Sequence, residues 1–285
     1  MSSGPVLSSG PAGAGALAGV RIGLLERPHP PGHQGALVDR LVPALLTQGA
    51  DVQVVHAERG QHRLDVAPPW DLIVLKSGSA AAMHVAAAAQ AWGIPSVNSA
   101  ASTRRAQDKL VVALMLQDAG LPVAPSWATW FDPATAEVPT ALDERALVVK
   151  AVRGSQGVGI WPVDAGGLGE LRTRLPDGPY LVMEQIEHLG DDLKVYVAGD
   201  WMTAIERPFP ARNLAEKLGR AAALPPEVAD ATRRAGALLG LTCFGVDFVQ
   251  GADGWVMVDV NAFPGYKGAE GIIEALVVEI ARSLP

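Results

Sequence analysis

GVDFVQGADGWVMVDVN, residues 245–261, is the stretch on which the fold turns. Two apolar runs flank Ala252-Asp253-Gly254, so it reads as a β-hairpin with glycine in the left-handed turn position. Alternate residues of a strand share a face, so Asp259 and Asn261 point the same way. A three-residue connector sets Asp247 directly opposite Asp259, with Cβ atoms about 4.5–5.5 Å apart, where like charges repel. A hard cation between two carboxylates and an amide oxygen relieves that repulsion, and the all-oxygen set suits Mg²⁺, with Mn²⁺ as a substitute. A two-residue connector instead sends the two acids to opposite faces as solvated edge residues. Both registers remain open at this point. The Phe263-Pro264-Gly265 turn stops the strand just where Asn261 is presented.

Upstream, VVKAVRGSQGVG (residues 148–159) delivers Lys150 on a strand and then turns through Gly154, Ser155, Gln156, Gly157 and Gly159. Successive backbone N–H groups in such a turn can cradle phosphate. The spacing is neither a Walker loop nor the dinucleotide fingerprint, and a hairpin flap or an ordinary flexible hairpin tip both fit it. YLVMEQIE (residues 180–187) is an apolar strand ending in Glu184 and Gln185, whose backbone groups could read an adenine edge. Lys109 lies in a helix expected to span Ser102–Ala119, with Ser102 as cap and Gly120 and Pro122 beyond its end.

The rest of the chain frames these blocks. Short apolar runs at Val20–Leu25, Asp51–His56, Asp71–Leu75 and Ile94–Val97 alternate with helical patterns at 35–48 and Ala80–Trp92. That alternation predicts a parallel sheet with helices on its faces. Further strands are expected at Leu147–Lys150, Gly159–Val163, Tyr180–Gln185, 193–198, 201–206, 245–250 and 255–260, with helices near Gly167–Arg174, over 226–239 and over 268–283. The fold class is α/β plus α+β. The first nineteen residues read as a flexible tail and not a signal peptide. With 285 residues, 49% of them hydrophobic, the chain can bury a real core without staples. Its single cysteine excludes a disulfide framework and any multi-cysteine zinc site. A net charge of −7 argues against nucleic acid as partner, and no segment has the length of a membrane span. A cytoplasmic protein is expected, and Trp-bearing apolar surface permits a homo-oligomer.

Together, five blocks in order resemble the ATP-grasp superfamily, and within it the RimK-like amide ligases. They are Asn98…Asp108-Lys109; Val149-Lys150 with the glycine-rich turn; Glu184-Gln185-Ile186; Asp192–Asp200, Ala204–Arg207 and Arg212-Asn213; and Gly245–Asp247 with Val258–Gly265. The resemblance implies an ATP-grasp fold over 101–285, behind a doubly wound pre-ATP-grasp domain at 20–100. Within the former, 125–180 would carry the flap and 181–285 the metal ligands.

It also implies roles. Lys109 and Lys150 would hold phosphates, Glu184 and Ile186 the adenine, Glu187 the ribose, and Gly154–Gly159 would cover the triphosphate; Gln185 and Asp192 are grouped with these nucleotide-binding residues. Asp247, Asp259 and Asn261 would bind Mg²⁺, and Arg207 would stabilise charge at the transferred phosphoryl group. Lys194 stands where RimK-like ligases usually have arginine, and a lysine lacks the bidentate fork. Asp259 stands where they usually have glutamate.

The activity implied is an ATP- and Mg²⁺-dependent carboxylate–amine ligase acting through an acyl phosphate, on small molecules or a peptide. Lys194 and the Asp259–Gly268 segment also look like the inositol trisphosphate/tetrakisphosphate kinases, so a small-molecule kinase is the alternative. A nucleotide-binding module without catalysis is the third reading. Arg212, Asn213, Lys76 and His29 are candidate substrate contacts, with His33 and His84 beside them; for the loop and helix residues among these, plain solvation is the competing account.

Overall fold

A computed structural model describes residues 15–28, 37–63, 65–131, 142, 144–153, 159–208 and 211–285. The expectations for residues 1–14, for His29 and His33, and for Gly154, Ser155, Gln156 and Gly157 fall outside them. Residues 15–19, expected in a flexible tail, form a turn instead. Leu17 is fully buried there and donates its N–H to Gln48.

Strands β1 (Arg21–Leu25), β2 (Asp51–Val55), β3 (Leu72–Leu75) and β4 (Ser96–Val97) form a parallel sheet in the order β2-β1-β3-β4. All four residues of β3 are buried, as a strand covered on both faces requires. On one face sits α1 (Leu37–Thr47), which buries Leu37, Leu41 and Leu45 at helical spacing. The closing helix α8 (Ile272–Arg282) packs into the same core through Leu276 and Ile280. Helix α2 (Ala80–Ala91) covers the opposite face.

A second sheet holds β5 (Ser126–Phe131), β6 (Leu147–Ala151), β7 (Ile160–Val163) and β8 (Gly178–Glu184), antiparallel in the order β5-β8-β6-β7. Helix α5 (Leu168–Arg174) backs it with Leu168 and Leu171. The third sheet contains β9 (Asp192–Ala198), β10 (Trp201–Arg207), β11 (Arg220–Ala222), β12 (Cys243–Gly251) and β13 (Gly254–Ala262) in the order β11-β10-β9-β12-β13. Helix α7 (Pro226–Leu239) lies under it, packing Val228, Ala235 and Leu239 against Phe244, Val246 and Phe248. Strand β5, the short helix α6 (Leu214–Leu218) and β11 carry no periodic signal of sufficient length and were not expected. Among the described residues, no helix is long and apolar enough to cross a membrane.

Two local expectations are corrected. The predicted helix at Ser102–Ala119 is two helices, α3 (Ala100–Gln107) and α4 (Lys109–Asp118). Asp108 leaves helical geometry between them and caps α4, accepting from Val111 N–H at 3.1 Å, while Ser99 and not Ser102 caps α3. A short side chain that accepts from a backbone N–H two or three residues on favours a cap over a helix interior. The break makes Lys109 the first residue of a helix.

The connector of the last hairpin is also shorter than expected. Gly251 pairs with Gly254, leaving two residues in the turn. That register continues through Phe248 opposite Met257 and then shifts, so that Asp247 faces Asp259. Val258 is the extra residue of a β-bulge.

Candidate functional site

The upper face of the third sheet carries the charged residues. Asp192 and Lys194 lie on β9, with Asp192 opposite Arg207 on β10 and Lys194 opposite Asp247 on β12. Asp247 in turn faces Asp259 on β13, and Gly245 faces Asn261. Without the bulge, Asp259 would share a face with Met257, which is buried in the core over α7. The inserted residue turns Asp259 to the charged face.

Two lysines from other elements converge on this edge. Lys109 Nζ is 3.0 Å from Asp259 Oδ1, and Asn261 Nδ2 donates to Asp259 Oδ2 at 3.1 Å. Lys150, on β6, donates to the carbonyl oxygen of Val258 at 2.8 Å. The bulged residue thus anchors one lysine while the residue after it receives the other. The Lys109 N–H donates to Val152 O, tying the start of α4 to the end of β6.

Charges follow from this packing. Burial alone would raise the Asp259 carboxyl, but the charges of Lys109 and Lys150, the Lys109 hydrogen bond and the charge of Lys194 together hold it below its ordinary range. Burial pushes the Lys150 ammonium below the usual lysine range; Asp259 opposes that shift and Lys109 adds to it.

Lys194 Nζ sits 2.6 Å from Asp247 Oδ1 and donates to Oδ2 at 3.0 Å, with the Tyr196 ring beneath it at 5.8 Å. Its ammonium is therefore committed to Asp247, and it orients a carboxylate of the protein. Arg207 reaches the same Oδ1 only at 3.9 Å. Asp247 Oδ1 is buried and accepts no hydrogen bond of good geometry. Behind the pair, His188 Nε2 and Asp192 Oδ1 are 2.7 Å apart. Burial raises the Asp192 carboxyl, against the pull of His188.

An open cleft runs from these residues between α4, β8 and β13. Lys109, Lys150 and Asp259 stand at its polar end, and Val112, Leu116, Leu181, Met183 and Met257 line it. Beside it Ile186 packs with Leu181 and Met183 and fills the space over Gly251. The N–H groups of Glu184 and Gln185 donate to Pro125 O and Ala146 O, so neither is free for a base, contrary to expectation. The Glu184 carboxylate is paired with Arg145 at 2.9 Å.

The remaining candidates are placed elsewhere. Asn213 caps α6 by accepting from Glu216 N–H at 2.9 Å, and Arg212 N–H donates to the Glu216 carboxylate at 2.6 Å. The Asn213 side-chain amide also donates to Glu216 at 2.9 Å, so both residues are engaged in local structure, and among the described residues neither hydrogen-bonds to the lysine–aspartate cluster. Lys76 follows β3, where burial lowers its ammonium, Glu26 opposes the shift and Arg27 adds to it; it does not line the cleft. His84 is exposed on α2, as solvation predicts. Sequence reasoning missed His188, whose only signal is its spacing four residues before Asp192. It also missed the Val258 carbonyl, which has none.

Among the described residues, no group of three or more His, Cys, Asp or Glu could hold a metal ion. Asp247, Asp259 and Asn261 form a donor set only with the Asn261 amide oxygen counted. Its chemistry is hard oxygen throughout, and the buried Asp247 Oδ1, which has an ion pair with Lys194 but no well-aligned hydrogen bond, fits a magnesium-sized cation.

No family model matches the chain. It is 27% identical over 280 residues to a protein named probable alpha-L-glutamate ligase 2 of Shewanella frigidimarina, covering 88% of this chain and 91% of that one. It is 29% identical over 216 residues to a protein named ribosomal protein bS6–L-glutamate ligase of Salmonella schwarzengrund, covering 71% and 72%. Its fold matches a RimK-domain ATP-grasp protein of Sphaerobacter thermophilus with a TM-score of 0.71 at 21% identity, over 93% of this chain and 99% of that one. The chain has the ATP-grasp fold, and in sequence it is similar to proteins named as glutamate ligases. D-alanine–D-alanine ligase of Bacillus anthracis, at 16% identity, shares the fold with a TM-score of 0.68 over 93% of the chain and 97% of that enzyme.

Proposed function

We propose that this protein is a RimK-like ligase that joins a carboxylate to an amine with ATP, through an acyl phosphate. The observation that carries the reading is the convergence of Lys109, Lys150 and Asp259 at the polar end of one apolar cleft, with Asp247 opposite Asp259 and Asn261 bonded to it. The apolar walls suit a purine, Ile186 and Glu187 lie on the linker beside it, and the lysines suit its phosphates. Asp247, Asp259 and Asn261 would hold Mg²⁺, which when bound supplies charge neutralisation on the transferred phosphoryl group.

In the first step a carboxylate oxygen attacks the γ-phosphorus, and the bond from that phosphorus to the bridging oxygen of ADP breaks. Lys109 and Lys150 neutralise charge on the phosphates, and Arg207, directed to this face by its position opposite Asp192, stabilises the transferred group. In the second step an amine nitrogen attacks the acyl carbon, phosphate leaves with the carbon–oxygen bonding pair, and the nitrogen loses a proton. The glycine-rich segment between β6 and β7 would exclude water from the acyl phosphate.

The relatives named as glutamate ligases, together with one whose name specifies a ribosomal protein, favour an amino acid and a peptide or protein chain end as the two partners. An acceptor screen of pooled amino acids and short peptides, read as ATP-dependent phosphate release and repeated with hydroxylamine, tests this. Hydroxamate with free phosphate is expected. A phosphorylated product without free phosphate would make the protein a kinase and overturn the reading.

A further inference from the structure

Both carboxylates of the predicted cation site already hold an ammonium group. Lys109 lies on Asp259 Oδ1 at 3.0 Å, and Lys194 bridges both oxygens of Asp247 at 2.6 and 3.0 Å. Lys150 stands beside them on the Val258 carbonyl and Arg207 at 3.9 Å from Asp247. Four cationic side chains therefore surround two carboxylates. A dication entering alone meets an excess of like charge. It must also displace an ammonium from at least one oxygen, leaving that ammonium in a partly buried place without a counter-ion. The side chains involved are sheltered, with Lys109 14% and Lys194 11% exposed, so water does little to screen that cost.

A triphosphate changes the balance, because its oxygens can receive the displaced ammonium groups. Lys109 is built for such a transfer. Its backbone is fixed at the start of α4 by the bond to Val152 O, while four methylenes let its ammonium swing between Asp259 and the cleft. Lys194 is held more tightly, between Asp247 and the Tyr196 ring.

We propose that Lys109, with Lys194 behind it, makes the divalent-cation site conditional on the nucleotide: the site accepts a metal–nucleotide complex and rejects the free ion. The proposal rests on the nucleotide reading above. The lysine that will contact phosphate is the same group that blocks the carboxylate beforehand, so metal and nucleotide must bind with positive coupling.

The test is Mn²⁺ binding to the full chain, followed by the electron paramagnetic resonance signal of the free ion, with and without a non-hydrolysable ATP analogue. The parent protein is expected to bind Mn²⁺ at least about tenfold more tightly with the analogue present, as loss of one close like charge implies. Lys109→Met should acquire Mn²⁺ binding without the analogue, and Lys109→Arg should restore the dependence. Lys109→Gln serves as a second neutral variant, and circular dichroism checks that each folds. Equal Mn²⁺ affinity with and without the analogue in the parent, or no gain in either neutral variant, overturns the proposal while leaving the nucleotide site intact. Failure of a fluorescent ATP analogue to bind the parent in the presence of Mn²⁺ overturns the nucleotide reading, and this proposal with it.

Discussion

Asp247 and Asp259 face one another across β12 and β13 because one extra residue, Val258, lies between the turn and Asp259. The two-residue turn at Ala252-Asp253 by itself would send the two acids to opposite faces. The bulge adds the missing half-period of the pleat, since a one-residue shift exchanges the faces of a strand. It also offers the Val258 carbonyl to Lys150 at 2.8 Å. A single irregularity thus orients a carboxylate and anchors a lysine.

Deleting Val258 separates these two effects. Phe248–Met257 and Asp247–Asp259 would become consecutive pairs of a regular ladder, so the aspartates stay opposed while Lys150 loses its acceptor. Nucleotide affinity, measured with a fluorescent analogue, should fall by roughly tenfold, the worth of about one hydrogen bond to a charged group. Unchanged affinity would show that the carbonyl does not hold Lys150 for the nucleotide.

Asn98 joins distant parts of the chain. Its side chain donates to Cys243 O at 2.7 Å and accepts from Thr242 N–H and Cys243 N–H, each at 2.9 Å, in a buried setting. Asn98→Ala leaves those backbone groups without partners and should cost about 2–4 kcal/mol in urea unfolding. Asn98→Asp keeps the acceptor but loses the donor, and should fall between the two.

Gly268 has φ +76, and a Cβ there would come within 1.9 Å of the Leu218 carbonyl oxygen. Backbone oxygen cannot be moved aside as a flexible side chain can. Gly268→Ala should therefore lower stability by more than about 1 kcal/mol, and a melting temperature equal to the parent's would contradict this packing.

Burial pushes the Glu279 carboxyl above its ordinary 4.5, against the pull of a Thr242 hydrogen bond and the charge of Arg282. The folded protein therefore keeps this proton to higher pH than the unfolded chain. The Glu279 contribution to stability is greatest below the unfolded value and declines as pH rises through the folded one. Urea unfolding of the parent should lose stability over this window relative to Glu279→Gln, which has no such proton. A parent-minus-variant difference that stays flat or rises with pH would contradict the burial account.

Much of the architecture was legible because its causes are local. Leu37, Leu41 and Leu45 announce α1, the apolar run Leu72–Leu75 announces a buried strand, and Pro226 to Gly240 bound α7 by familiar start and stop chemistry. The acids, the amide and both lysines of the candidate site were also visible as residue types in order. Other features had no local trace. Asp108 interrupts a pattern that reads as one helix, because its side chain caps α4 more favourably than it continues α3. Asn213 resembles a substrate contact in the sequence and serves as a helix cap in the structure.

Chemical inventory, element order and the hairpin itself come from short windows of sequence, because periodicity and turn chemistry act over a few neighbouring residues. Which face Asp259 takes, and that Lys109 meets it from 150 residues away, depend on how two sheets and the α3–α4 pair close around one cleft. Those contacts are chosen by burial and charge balance summed over the whole molecule, and no window of the chain contains that sum.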